Sequence, residues 1–356
     1  MARIVVKIGS NVITRRDGTL DVTRMSALVD QVVALRRCGY QVIMISSGAV
    51  AAGRNEVTPS RRLDTVSQRQ LYSAVGQAKL INRYYGFFHD HGMVCGQILT
   101  TKEGFGSRTH YLNQKHCMEV MLAQDVVPVV NENDAVSVTE LMFTDNDELS
   151  GLVAAMMDAD TLVILSNIDG IFDGDPADST SKVIRTVDPS VADLSGVVVA
   201  GKSTFGRGGM LTKSRIALQA ASEGIEVVIA NGKREGILTD LFSGKDIICT
   251  RILPGARVNG VKKWIAHSHD FVKGRIVVNE GAARRLLDQS VASSLLPVGV
   301  TAVEGIFEKG DLVAIADESG MPVGVGCSEY SSEALAAVAG MKEQRPAVHY
   351  DYLFIE

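Results

Sequence analysis

Apolar residues fall into short, nearly unbroken runs through the first two-thirds of the chain, at Ile4–Ile8, Gln41–Ser46, Val94–Leu99, Val126–Val130, Thr161–Leu165 and Glu226–Ala230. Runs of this length with little polar alternation predict strands buried on both faces of a parallel sheet. Between them the period changes. Met25, Leu28, Val29, Val32 and Leu35 recur at helical spacing between Thr23, a residue suited to cap a helix, and Gly39. Similar stripes at Ser67–His89, Thr109–Gln124, Glu148–Met157 and Thr212–Glu223 predict further helices. Strand and helix alternate, so the predicted fold class is α/β, an αβα sandwich around a mainly parallel central sheet. Near Lys262 the pattern breaks into strand-like pieces separated by glycine, "GRIVVNEGA" and "VTAVEGIFEKGDLVAIADESGMPVGVGCSEY", which predicts a small, mostly β second domain.

Composition narrows the class. A chain of 356 residues has material for about two domains. Hydrophobic residues at 46% and charged residues at 22% set aside disordered and fibrous proteins. The net charge of −5 gives no general pull toward nucleic acid or anionic membranes. From Lys262 to Glu356 nine Lys/Arg face thirteen Asp/Glu, a net of −4, so the acidity sits mainly in the second segment. Five cysteines lie far apart with no C-x-x-C pair, which predicts reduced, structural thiols. The pairs His89/His91 and His267/His269 lack further ligands for a zinc set and read as surface histidines, so no protein metal site is expected. With no basic-then-apolar leader and no run long enough to span a bilayer, the expectation is a soluble, cytoplasmic protein without membrane association.

In open α/β sheets ligands bind beyond the carboxyl ends of the strands, and there the chain is rich in polar residues. Lys7 interrupts the first apolar run, where an ammonium without a partner is costly, and Gly9 and Ser10 follow it. This is half of a phosphate site or a lysine reaching out from a strand end. "SSGAVAAGR" after the second strand reads either as an anion-binding helix start or as a capped βα turn. "NENDAV", Asn131 to Val136, offers an acid among amides that can hold an ammonium, or an Asx-rich turn. Asp145, Asn146 and Asp147 precede an apolar helical stripe, one of them as its cap. "ILSNIDGIFDGDP" is another polar loop after a strand, and "FGRGGMLTK" puts glycines ahead of Lys213, a second candidate phosphate site. The segment Gly196–Thr204, "GVVVAGKST", matches G-x-x-x-x-G-K-[ST], yet no strand precedes it and "FGRGG" cannot begin a helix. That match is a coincidence of spelling.

Taken in order, "VVKIGSNV", "SSGAVAAGR", "VVPVVNENDAV", "TDNDELSGLVAAM" and "GRGGMLTK" resemble the glutamate 5-kinases of the amino acid kinase family, and the segment from Lys262 is similar to a PUA domain. The resemblance implies a catalytic domain over 1–257 and a PUA-like domain over 262–350. It implies transfer of the ATP γ-phosphoryl group to the γ-carboxylate of L-glutamate, with Mg²⁺ accompanying ATP. By resemblance Lys7 and Lys213 hold the transferring group and Asp147 orients them. Ser47, Asp134 and Asn146 hold glutamate, while Lys7, Gly9, Ser10, Ser166, Asn167, Gly208, Gly209, Met210 and Lys213 receive the nucleotide. Many relatives carry Thr-Asp where this chain has Ser166-Asn167. The resemblance further implies association into homo-oligomers and feedback inhibition by proline. A sibling kinase acting on acetylglutamate, aspartate, carbamate or a nucleotide monophosphate shares the phosphate machinery but differs at "SSGAVAAGR" and "NEND". An RNA-binding protein of PUA type is the other alternative, and the acidity of the second segment speaks against it.

Overall fold

The computed structural model describes residues 1–136, 146–176, 178–189, 210–256, 265, 271–288 and 293–355. The chain divides into two compact units, Met1–Arg257 and Val258–Glu356. In the first unit the strands are β1 (Arg3–Ile8), β2 (Gln41–Ser46), β3 (Val94–Thr100), β4 (Val126–Glu132), β5 (Thr161–Ser166), β6 (Thr186–Val187), β7 (Glu226–Asn231) and β8 (Thr250–Ile252). They form one sheet in the order β3-β4-β2-β1-β5-β7-β8-β6, parallel throughout except for β7 against β8. The central strands are buried along nearly their whole length, as continuous apolar runs require. β3 differs. It lies at the sheet's edge, and its alternating exposure leaves Val94 and Leu99 at the surface. A buried strand is therefore the wrong reading for that segment, because an edge strand has a neighbour on one side only.

The helices are α1 (Ser10–Ile13), α2 (Val22–Arg37), α3 (Ala49–Arg54), α4 (Thr65–Asp90), α5 (Lys102–Gly106), α6 (Arg108–Ala123), α7 (Asn146–Met156), α8 (Met210–Ser222) and α9 (Ile237–Phe242). The cap of α2 is Asp21 rather than Thr23: its carboxylate accepts the Arg24 N–H at 3.1 Å, while Thr23 is already inside the first turn. Met25, Leu28, Val29 and Val32 are then fully buried against the sheet. Cys95 and Cys249 are buried, but Cys38 and Cys117 are exposed, so the structural reading of the thiols holds for only part of this unit. His89 is exposed and His91 meets Asp30 at 2.7 Å, while His267 and His269 lie outside the described residues.

The second unit forms a five-stranded sheet from β9 (Gly274–Val278), β10 (Val300–Gly305), β11 (Leu312–Asp317), β12 (Pro322–Ser328) and β13 (Val348–Ile355), in the order β10-β9-β11-β12-β13. Among the described residues α10 (Glu280–Leu287), capped by Asn279, and α11 (Ser332–Val338), capped by Ser331, accompany it. Ile276, Val278, Phe307, Val313, Ile315, Leu335 and Val348 close a core of its own. Among the described residues no helix is long and apolar enough to cross a membrane.

One packing feature shapes the polar edge of the large sheet. α3 and α4 cross at backbone contact, where a Cβ on Gly53 would stand 1.8 Å from the Tyr72 carbonyl oxygen and one on Gly76 would stand 1.8 Å from that of Ala49. Neither oxygen can yield without moving a helix. Gly86, in the same helix α4, has open space around it. Opposite outcomes are therefore expected from one kind of substitution. Gly76→Ala destabilises by about 1–3 kcal/mol or more through overpacking, whereas Gly86→Ala stabilises by about 0.5–1 kcal/mol through helix propensity. Chemical denaturation of the two variants checks the signs, and a neutral Gly76→Ala contradicts the close crossing.

Candidate active site

β1 brings Lys7 between β2 and β5, in register with Ile45 and Ile164, one residue before the strand's end. The side chain is 5% exposed and needs a counter-charge. That charge is Asp147 in the first turn of α7, whose side chain is fully buried. The Lys7 ammonium pairs with Asp147 Oδ1, and the Lys213 ammonium, from the first turn of α8, pairs with Oδ2 at 2.8 Å. Burial pushes the Asp147 carboxyl up, but Lys7 and then Lys213 outweigh it and hold the group below its ordinary value of 3.8. Two ammonium groups on one carboxylate leave a net single positive charge at the carboxyl end of the central strands. Such a cluster attracts an anion and fixes where it binds.

A second group forms next to it. Asn146, adjacent to Asp147, donates through Nδ2 to the Ser46 carbonyl at 2.9 Å, to Ser47 Oγ at 3.0 Å and to Asn131 Oδ1 at 2.9 Å. One amide thereby ties the ends of β2 and β4 to the start of α7. The turn after Ser47 depends on Gly48, whose φ of +99° is the left-handed region that glycine tolerates. α3, the helix it opens, has six residues.

Asp134 belongs to a third group. Its Oδ1 accepts Arg69 Nε at 2.7 Å, and the same guanidinium donates from Nη2 to Glu132 Oε2 at 3.0 Å. Both acids are buried, and Gln77 Nε2 reaches the Glu132 carbonyl at 3.2 Å. Ser47 and Asn146 are thus in direct contact, while Asp134 is held by Arg69. Nothing in "SQRQLYSAVG" marks Arg69 as more than a solvated helix arginine, because its two partners lie more than sixty residues away. Only the folding of α4 across the end of β4 reveals it.

The remaining candidates are more scattered. The Gly9 N–H is given to the Leu165 carbonyl at 3.1 Å, and its φ of −67° is ordinary extended backbone, so this glycine makes no left-handed turn. Ser10 and Asn167 are exposed, Ser166 is buried at the end of β5, and Met210 opens α8 half-buried. Asn231, at the end of β7, donates to Asp169 at 3.0 Å, a contact across two strand ends that periodicity does not predict. Asp145, Gly206, Gly208 and Gly209 lie outside the described residues, as does the P-loop-like segment 196–204.

Comparison with known proteins agrees with this geometry. Residues 2–231 match the amino acid kinase family and residues 274–350 match the PUA domain. The glutamate 5-kinase of Bacteroides thetaiotaomicron is 59% identical over 356 residues, spanning 99% of this chain and 98% of the relative. That of Chlorobaculum tepidum is 45% identical over 353 residues, spanning 99% of this chain and 97% of the relative. With lysines from the first and last parts of the catalytic unit meeting on one aspartate, and with this likeness running end to end, the chain belongs to the amino acid kinase family, among its glutamate 5-kinases.

Proposed function

We propose that this chain transfers the γ-phosphoryl group of ATP to the γ-carboxylate of L-glutamate, giving L-glutamyl 5-phosphate, the first step of proline biosynthesis. The observation that carries the reading is the convergence of Lys7 and Lys213 on the two oxygens of buried Asp147, and the shared name of the relatives supplies the acceptor. Phosphoryl transfer asks for positioning and charge stabilisation rather than covalent work by the protein. Asp147 orients both ammonium groups before the reaction, so neither must reorganise as charge spreads over the transferring oxygens. Lys7, Lys213 and Asp147 are the catalytic set in this reading.

Ser47 and Asn146 hold glutamate, and the Asp134 carboxylate suits its ammonium group. Gly9, Ser10, Ser166, Asn167, Gly208, Gly209 and Met210 line the nucleotide side. ATP enters as its magnesium complex. Both Asp147 oxygens are engaged by lysines, which fits a metal carried by the co-substrate. The catalytic domain is taken as 1–257 and the PUA-like domain as 262–350. We also read the enzyme as cytoplasmic and inhibited by proline at the glutamate site. Association of copies is supported by exposed Val94 and Leu99 on edge strand β3 and by exposed Leu112 and Val120 on α6. The acidic second segment weighs against RNA as a partner.

Lys213→Ala is expected to lower kcat by about 10²-fold or more, the scale of losing one preorganised donor, with a smaller change in either KM. Glutamate-dependent ADP release measures this, and near wild-type turnover removes Lys213 from the mechanism. Ser47→Ala and Asp134→Ala are expected to raise KM for glutamate well beyond any change for ATP, and to weaken inhibition by proline. Equal shifts in both KM values contradict the division of the site.

Asp147 also sets an acid limit. Its carboxyl lies lower in the folded chain than in the unfolded one, so its contribution to stability is complete above the ordinary carboxylate range and is lost as pH falls through the lowered value. Urea unfolding followed from neutral pH down to about pH 3 shows that loss in the wild type. Asp147→Asn removes it from the pH dependence and starts about 3–5 kcal/mol less stable at neutral pH, because two ammonium groups lose their counter-charge. An unchanged acid slope in that variant contradicts the argument.

A further inference from the structure

Behind the Ser46–Gly48 turn stands a buried hydroxyl that the reaction described above does not use. Tyr84, on α4, is wholly buried, and its Oη lies 2.8 Å from Ser46 Oγ. Ser46 is itself wholly buried, at the last position of β2. Its hydroxyl donates to the Ser47 carbonyl oxygen at 3.0 Å. A serine hydroxyl has a single proton, so with that proton given to Ser47 the Tyr84 hydroxyl is the donor in the Tyr84–Ser46 pair. Burial pushes the phenol up to about 12, so at neutral pH it keeps the proton it donates.

The other side of the same dipeptide carries the bonds from Asn146, to the Ser46 carbonyl at 2.9 Å and to Ser47 Oγ at 3.0 Å. Ser46 and Ser47 are therefore gripped from two directions. Asn146 holds the atoms on the α7 side, and Tyr84, through Ser46 Oγ, fixes the Ser47 carbonyl and with it the peptide that leads into the left-handed Gly48. A ring without the hydroxyl fills the same space. It leaves a buried serine oxygen short of one donor and its rotamer less constrained.

We propose that Tyr84 is a positioning residue for the glutamate subsite, its hydroxyl acting through Ser46 to aim the Ser47 hydroxyl and the following turn. This rests on Ser47 and Asn146 being glutamate ligands. The relay does not touch the Lys7–Asp147–Lys213 cluster, so its effect falls on glutamate rather than on ATP.

The test uses the full chain with Tyr84→Phe, Ser46→Ala, the double variant and Asn146→Ala, with urea unfolding recorded for each. Tyr84→Phe raises KM for glutamate about three- to tenfold, the scale of one buried hydrogen bond, while KM for ATP stays within about twofold. Because the effect passes through Ser46 Oγ, Tyr84→Phe adds little once Ser46→Ala is present. A tyrosine that matters only for packing shifts the unfolding midpoint and leaves both KM values alone, and that result overturns the proposal. So does full additivity in the double variant. A raised glutamate KM in Asn146→Ala beside a normal one in Tyr84→Phe sinks this proposal and leaves the glutamate assignment standing. A normal glutamate KM in Asn146→Ala, or a wild-type chain that does not phosphorylate glutamate, overturns the assignment and the proposal together.

Discussion

Lys7 can occupy a buried parallel strand only because Asp147 meets it there. An ammonium in that position without a carboxylate is far too costly to keep, and a lone pair inside a protein brings no reliable gain in stability over apolar packing. The arrangement makes sense as a functional one. Two ammonium groups meet the one Asp147 carboxylate, and in the proposed reaction an incoming phosphoryl group uses their charge. The fold follows from that requirement: α7 must start beside the end of β1 to deliver Asp147, and α8 must begin within reach of the same carboxylate to deliver Lys213.

On the proposed glutamate side, close backbone approach lets one helix reach several groups at once. Gly53 and Gly76 let α3 and α4 touch, which brings α4 close under the turn that α3 opens. α4 can then send Tyr84 to Ser46, Gln77 to the Glu132 carbonyl and Arg69 to Glu132 and Asp134. One helix thus reaches the loops after both β2 and β4. In the proposed reaction, loss of either glycine bears on glutamate binding as well as on stability.

Much of this is legible in the amino-acid sequence alone. β1 to β5 and β7 each lie within one or two residues of a predicted apolar run, whereas the two-residue parallel strand β6 has no run to announce it. Lys7 stands out as a charge inside such a run. The glutamate 5-kinase resemblance agrees with relatives that match along nearly the whole chain. What periodicity missed is what long-range contact decides. β8 is three residues long and pairs antiparallel to β7, the exposure of β3 comes from its place at the edge, and the cap of α2 is set by which side chain reaches Arg24. Arg69 and Tyr84 gain their roles from partners distant in sequence. Local pattern carries no trace of either.

Asn146 and Asp147 are neighbours in one helical turn, and between them they divide the site. The amide ties down the Ser47 and Asn131 side, and the carboxylate gathers the two lysines. Taken by themselves, Lys7, Asp147 and Lys213 sum to a formal charge of +1, and Arg69, Glu132 and Asp134 sum to −1. A substrate with an ammonium at one end and a carboxylate several bonds away is drawn to such a dipolar arrangement in one orientation only, its acceptor oxygen toward the lysines. In the proposed reaction the reversed orientation sets the substrate ammonium against two cations. In that proposed reaction the charge pattern that orders the transferring phosphoryl group also selects which end of an amino acid is presented to it.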